Sequence, residues 1–526
     1  MIGRFTNLPL SLDEMKHYLG LLILFLLLKS FLVILGIQTG VIGLGPDEAQ
    51  YWTWSQQLDW GYYSKPPGIA WQIWLGTRLF GDTELGVRFI SVAASFFLAI
   101  ATFFLARACR LKWESAFWSG MVMGFSPLGI LGAFLATTDG GMVLFWALAC
   151  LIMARALAKG TSPHYPLLGV LILLGALFKW PMYLFWIFVF LAMRWFPYLQ
   201  SRTVFPGIAL SLLGLLPSII WNRTHDWATF RHVLATIKGG HANELGATPL
   251  LHGNFWEFVG AQISLLSPIL FVLLLIAFVV LIRNIRDVWP QLIFCGAVSI
   301  LILAAFSLLS IVQKVQGNWC VFAYPSGIVV LCWFACERAR RGKQWLVGGV
   351  VLSIILSLMV LGLPILQEKG ILSIPYKWNP FRHNIGWEQL KQELATAGFD
   401  DEQHFLFGDK YQMSSILSFY QPGQKRAYFL NLLGVRKNQF SYWPSMEDEQ
   451  TGKTGFFVAV ENAPHLEQKW RENIPFYRDR LQDFFEEIDF LGEVPLFYVG
   501  NRIVKSALIF RCINYQGKTI SSPKIY

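Results

Sequence analysis

YLGLLILFLLLKSFLVILGI, residues 18–37, is a run of apolar side chains whose only charge is Lys29, and it is followed by GPDEAQYWTW, residues 45–54, where Asp47 and Glu48 stand side by side. About 20 apolar residues are what a helix needs to cross a bilayer. The run follows a short polar segment and lacks a small-residue cleavage site, so it is expected to be a retained helix and not a removed signal peptide. Nothing in a helix of lipid-facing leucines calls for the acidic pair behind it. Carboxylates at the rim of a membrane domain can take a proton, hold a metal or grip a substrate, which makes this loop the first place to look for chemistry.

Composition extends the same reading to the whole chain. Of 526 residues, 55% are hydrophobic and only 14% charged, with a mean hydropathy of +0.47; soluble domains carry about 25% charged residues. Further apolar segments fall near 87–106, 115–134, 141–158, 165–178, 181–198, 204–221, 256–282, 291–312, 319–336 and 345–366, so eleven crossings are expected. Lys179-Trp180-Pro181 is the only break between the segments around 165–198. The stretch 69–80 is too short to span and is expected at the surface. Short loops carrying Arg107, Arg110 and Lys112; Arg155 and Lys159; Arg194 and Arg202; Arg283 and Arg286; and Arg338, Arg340, Arg341 and Lys343 fall on alternate turns. The positive-inside rule makes them cytoplasmic. The N-terminus is then cytoplasmic, and everything after about residue 367 lies outside the cytoplasmic membrane. The net charge of +10 follows this bias, and no nucleic-acid recognition motif accompanies it. Cys150, Cys295, Cys332 and Cys336 lie in apolar segments, so the seven cysteines read as small buried hydrophobes and not as a disulfide framework.

From Pro375 onward charges become frequent and long apolar runs stop. Residues 404–409, 426–430, 455–460, 497–499 and 503–510 read as strands, and 411–420 and 466–473 as helices. The chain therefore divides into a membrane domain, residues 1–366, and a small α/β extracytoplasmic domain, residues 367–526.

The outer loop from Gln38 to about Arg88 is the richest in candidate residues. After Asp47 and Glu48 come Trp52, Trp54, Trp60, Tyr62 and Tyr63, which suit either a loop lying at the membrane–water interface or a wall for a sugar. Lys65, held before Pro66-Pro67, is a cation at headgroup depth that suits a phosphate, or a snorkelling lysine. Asp139 follows Thr137-Thr138 between two apolar segments on the same side. It reads as a helix N-cap or as a second site carboxylate acting as base, metal ligand or hydroxyl acceptor. Lys179 and Arg88 are on that side too and, with Lys65, could meet a lipid phosphate. Lys29 lies deeper. His225, His232, His241 and His252 share one outer loop, but their spacings match no strong zinc pattern. Gln316, Asn318 and Trp319 cap another outer helix end and could line the same cavity, with Tyr62, Tyr63 and His225.

These segments, in order, resemble the polytopic lipid-phosphate-sugar glycosyltransferases of the GT-C class. The resemblance is to the bacterial branch that groups with protein O-mannosyltransferases and with the aminoarabinose transferase acting on lipid A. It is carried by residues 47–55, 61–71 (GYYSKPPGIAW), 86–89, 137–141 (TTDGG), 178–181 (FKWP), 221–227, 317–319, 379–388, 409–413 and 419–423, and covers nearly the whole chain. It implies a GT-C fold of about eleven helices and an active site on the outer face. There a sugar would pass from a polyprenyl-phosphate carrier to a lipid A, glycan, protein or lipid acceptor. By that resemblance Asp47 is the first-loop acid, a base or site organiser, and Asp139 the second-loop acid, with Glu48 beside Asp47. Lys65 and Lys179 match lysines that meet the carrier phosphate. The branch often has an acidic or Asn/His pair before Pro-Pro where this chain has Ser64-Lys65, and the lysine looks more like the lipid A branch.

Physical chemistry is compatible with this. A polyprenyl phosphate departs readily once a lysine or a divalent metal neutralises it, and the acceptor needs only a base and positioning. A single displacement would invert the anomeric centre. The rival readings are a polytopic lipid or sugar transporter or flippase, which would more often show internal repeats or paired broken helices, and an inactive scaffold of envelope assembly, which would not need both Asp47 and Asp139.

Overall fold

The computed structural model describes residues 12–237, 253–372, 374–462, 466–518 and 520; His241 and His252 lie outside them. Among these residues, seven helices are long and apolar enough to cross a membrane: Leu12–Gln38, Glu84–Ala108, Thr138–Lys159, Val204–Thr224, Pro290–Val312, Gly317–Arg338 and Gly342–Glu368. Two further segments are bent pairs, Trp113–Phe125 with Pro127–Phe134 (50°) and Phe255–Leu266 with Pro268–Arg283 (102°), which bring the number to nine if each pair is one span. Both bends fall at Ser-Pro, where proline removes a backbone donor and forces the preceding residue out of helical conformation. Ser126 is extended and caps Gly129 N–H, while Ser267 takes φ 94° and donates its hydroxyl to the Gly349 carbonyl at 3.1 Å.

The expected eleven crossings are not reached on length. The segment near 165–178 is a 12-residue helix, Tyr165–Ala176, and the next is a 3-10 turn, Trp180–Leu184, leading into Phe185–Trp195. A 12-residue helix is about 18 Å long, short of the ~30 Å hydrocarbon core. The break between them leaves Lys179 extended, with φ −153° and ψ 132°.

The short segment expected at the surface is a helix, Gly68–Phe80, whose Ile69, Ala70 and Ile73 are buried. A Cβ on its Gly68 would sit 2.6 Å from the Leu177 carbonyl oxygen, to which the Gly68 N–H donates at 2.8 Å. Only glycine allows that approach, and it brings the Lys65 turn beside the Lys179 break.

The C-terminal part carries a five-stranded mixed sheet in the order β2-β1-β3-β5-β4. The strands are β1 (His404–Gly408), β2 (Tyr428–Phe429), β3 (Thr454–Asn462), β4 (Phe485–Val499) and β5 (Arg502–Tyr515). β1 runs parallel to β2 and β3, and β5 is antiparallel to both β3 and β4. Strand β4 begins twelve residues before the expected 497–499. Its Glu486, Glu487, Asp489, Glu493 and Pro495 hide the apolar alternation, and register shifts near Gly492 and Phe497 interrupt it further. Charges and irregularity of this kind are how an edge strand avoids pairing with other chains.

Sheet and membrane helices are not independent. Trp52, Trp54 and Ile69 of the first loop share a buried cluster with Trp387, Leu390, Phe419 and Leu496. Leu44 N–H donates to the Tyr420 hydroxyl at 2.7 Å, and Tyr63 N–H to Gln439 Oε1 at 2.8 Å. Arg107, Arg110 and Lys112 lie at the far end of the helix that starts at Glu84, so these basic residues are at the opposite end of the bundle from this joint.

Candidate active site

The Asp47–Glu48 pair opens a short helix, Pro46–Gln56, whose first residue is proline. Consecutive helical side chains diverge by about 100°, and here the two carboxylates part company. Glu48 turns inward: its Oε2 accepts from Gly45 N–H at 2.9 Å, and its Oε1 accepts from Ala136 N–H at 2.8 Å. Arg88 grips both oxygens, with Nε at 2.8 Å and Nη2 at 2.7 Å. The remaining Arg88 donors reach the carbonyls of Ile42 (2.9 Å) and Gly43 (2.8 Å). Arg88 is 0% exposed and does not reach the cavity wall. The structure therefore does not place it for a phosphate, and Glu48, though at the wall, has both oxygens occupied. The pair bolts the first loop to the Glu84–Ala108 and Pro127–Phe134 helix ends.

Asp47 points the other way, into a cavity of about 1180 Å³ between the helix ends and the C-terminal domain, whose wall includes Lys65, Asp139, Lys179 and Asn318. Among the described residues Asp47 makes no hydrogen bond. The surrounding protein raises its pKa by desolvation; the Lys65 ammonium opposes that shift and Glu48 adds to it. Lys65 likewise has no ion-pair partner among the described residues. Burial pushes its pKa down to about 8, with Lys179 adding to the fall and Asp139 and Asp47 opposing it.

Asp139 is not an N-cap. Thr137 holds that position, and Asp139 lies inside the first turn of Thr138–Lys159. Its Oδ1 accepts from Lys179 Nζ at 2.6 Å and its Oδ2 from Asn318 Nδ2 at 2.7 Å. The approach depends on Gly141, where a Cβ would meet the Phe178 ring at 2.6 Å. Among the described residues no three His, Cys, Asp or Glu side chains gather to hold a metal ion. Asp139 instead has a lysine and an amide where such an ion would bind.

Three residues expected at the cavity are elsewhere. Tyr62 is stacked on Trp54 with ring centroids 4.6 Å apart, and its hydroxyl donates to the Trp54 carbonyl at 3.0 Å, closing the loop. Tyr63 is buried with Trp221 and Ala228. His225 lies flat on Trp221 at 4.0 Å and donates from Nδ1 to that residue's carbonyl at 2.7 Å. Lys29 is deeper still, donating to Ser95 Oγ at 2.8 Å.

Tyr51, Tyr411, Arg436 and His232 also reach the cavity, and of these only His232 was among the residues considered above. Tyr51, one turn after Asp47, is buried, and its pKa is raised well above 10 by burial and by the fields of Asp47 and Asp139. Tyr411 and Arg436 come from the C-terminal domain, and His232 from helix Ala228–Ile237. Tyr51 lies in the DEAQYWTW segment and Tyr411 in DKYQM, so both were in motifs already marked. Nothing in the local sequence distinguishes Arg436.

Residues 64–221, which hold Lys65, Asp139 and Lys179, match the family described as dolichyl-phosphate-mannose-protein mannosyltransferase. Over 455 residues the chain is 26% identical to the lipid A galacturonosyltransferase RgtD of Rhizobium johnstonii, covering 84% of this chain and 92% of that one. The fold is similar to that of ArnT from Cupriavidus metallidurans in the apo state, with TM-score 0.59, 13% identity, and coverage of 94% of this chain and 98% of that one. The same protein bound to undecaprenyl phosphate gives TM-score 0.61 at the same identity and coverage. With its helical bundle and its small C-terminal sheet domain, the chain has a GT-C type of fold and is similar to the glycosyltransferases named above.

Proposed function

We propose that this chain transfers a sugar from a polyprenyl-phosphate carrier to an acceptor hydroxyl or phosphate at the outer face of the cytoplasmic membrane, with lipid A as the favoured acceptor. The observation that carries the reading is the arrangement of the cavity: Asp47, unbonded among the described residues, shares it with Lys65, which has no ion-pair partner among them, and with the Asp139–Lys179–Asn318 cluster. Of the proteins named above, one is a lipid A galacturonosyltransferase and another is bound to undecaprenyl phosphate, which supports the reading.

In the proposed step the acceptor oxygen attacks the anomeric carbon as the bond from that carbon to the carrier phosphate oxygen breaks. The carrier leaves as a phosphate dianion, one charge more negative than in the donor. Lys65, assisted by Lys179, stabilises that developing charge. A hydroxyl acceptor gives its proton to Asp47; an acceptor phosphate is already ionised and requires only positioning. The single displacement inverts the anomeric centre.

Purified protein supplied with a polyprenyl-phosphate sugar and lipid A tests this directly. The expected result is a glycosylated lipid A with inverted anomeric configuration, and the same mass increment in envelope lipids of cells carrying the chain. Carrier-linked sugar left untouched with every acceptor class would overturn it. Reporter fusions after Lys112 and after Asp409 test the orientation, the first expected in the cytoplasm and the second exported.

A further inference from the structure

Arg436 lies in the segment between β2 and the 3-10 turn Gln439–Tyr442, and that segment is stapled in place. Asn431 bonds both main-chain groups of Val435, donating to its carbonyl and accepting from its N–H, each at 2.8 Å. Gly434 makes the turn with φ 64°. On the other flank Asn438 caps Phe440 N–H at 2.9 Å, and Gln439 holds Tyr63 of the first loop. The segment thus presents Arg436 to the cavity from a fixed base.

The partners of the guanidinium are neutral. Nη1 donates to His232 Nδ1 at 2.8 Å, which requires an unprotonated nitrogen there, and Tyr411 shares the same stretch of cavity wall. No carboxylate pairs with it among the described residues. Arg436 is half-buried, and a guanidinium with free donors on a cavity wall matches a carboxylate or phosphate in geometry and charge.

Arg436 is near enough to Lys65 for its charge to add to the lowering of the lysine's pKa, but the two enter the cavity from different domains. Leu131, Leu135, Phe306 and Leu309 of the membrane helices give the cavity its apolar wall, where a prenyl chain would lie, and Lys65 and Lys179 belong to that domain. Arg436 enters from the C-terminal domain, where the head of a lipid-linked donor and the acceptor would meet. We infer that Arg436 is a specificity residue that binds an oxyanion of the substrates other than the carrier phosphate, carried either by the transferred sugar, as a uronate carboxylate, or by the acceptor, as a phosphate. This rests on the glycosyl-transfer reading above.

The test compares wild type, Arg436→Gln and Arg436→Lys. Three measurements are made: binding of bare polyprenyl phosphate, KM for uronyl and neutral hexosyl donors on one carrier, and KM for acceptor with and without its phosphate. A lost charge-assisted bond is worth about tenfold or more in affinity. Arg436→Gln is expected to raise KM at least about tenfold for the uronyl donor alone, which assigns the anion to the sugar, or for the phosphorylated acceptor alone, which assigns it to the acceptor. Arg436→Lys is expected to recover part of the loss, and bare carrier binding to stay within about twofold. Weakened binding of bare carrier in Arg436→Gln, or equal KM changes for anionic and neutral substrates, overturns the inference. If wild type transfers no sugar from any carrier, the functional reading fails instead, and the two failures are distinct.

Discussion

Glu48 at the cavity wall and Arg88 behind it form a two-pronged ion pair, at 2.8 and 2.7 Å, while the side chain of Asp47, the neighbour of Glu48 in sequence, faces the cavity with no hydrogen bond among the described residues. Adjacent carboxylates thus do opposite work. One fixes the loop, and the other is available to a substrate.

The first expected outcome concerns the fixed one. Removing one partner of a buried pair strands the other, at a cost of about 3–5 kcal/mol. Arg88→Ala should therefore lower the thermal stability of the detergent-solubilised protein sharply, and Glu48→Gln should do so to a smaller degree, since the amide oxygen still accepts from one of the two N–H groups, Gly45 or Ala136, that the carboxylate holds. A melting temperature unchanged in Arg88→Ala would show that the pair does not hold the loop.

Asp47→Asn should do the reverse. Asp47 makes no hydrogen bond among the described residues, so its amide should leave the melting temperature near wild type. Transfer to a hydroxyl acceptor should fall at least about a hundredfold, the scale of lost acid–base catalysis. Near wild-type transfer by the purified variant would make the carboxylate dispensable.

Lys65 and Lys179 are separable. Lys65 has no ion-pair partner among the described residues, so Lys65→Ala should weaken polyprenyl-phosphate binding with little loss of stability. Lys179 neutralises Asp139 at 2.6 Å, so Lys179→Ala should weaken binding and also destabilise the fold. Pairing it with Asp139→Asn should restore stability but not affinity. Carrier titrations and melting curves on the four proteins decide this, and unchanged affinity in both alanine variants would remove the lysines from the site.

The pH profile follows from the same two side chains. Burial holds Asp47 above its ordinary range, with Lys65 opposing and Glu48 adding. A base must be ionised, so kcat/KM should fall on acidification at a higher pH than an ordinary aspartate would set. Lys65, pushed down to about 8 by burial and by Lys179, loses its charge as pH rises through that value, and donor affinity should weaken there. The stability effect has the opposite sign. The unfolded lysine keeps its proton up to its ordinary value of 10.5, so the desolvated charge costs stability below about pH 8, and the cost is relieved between there and 10.5. In Lys65→Arg the alkaline limb of kcat/KM should vanish; a limb that persists would assign it to another group.

What residue type and spacing determined by themselves was the membrane class, the loops worth searching, and a sheet domain after the last span. These rest on local regularities: the length of apolar runs, the side of Lys and Arg, the alternation in β1, β3 and β5. The limits were local as well. Residues 165–198 have the apolarity of two spans, but the Lys179-Trp180-Pro181 break leaves them short, and the charges of Glu486 to Glu493 masked β4. Direction was decided only in three dimensions. Asp47 and Glu48 are chemically alike and adjacent, and what turns one outward is the distant Arg88 and the Ala136 N–H. Tyr62 and Tyr63 look no different from Tyr51 in sequence, but Trp54 and Trp221 draw the first two into the packing. Arg436 enters the cavity because a turn stapled by Asn431, nearly four hundred positions from Asp47, packs against the first loop. Such choices depend on which surfaces meet when the helices and the sheet close together, and no window of sequence contains both partners.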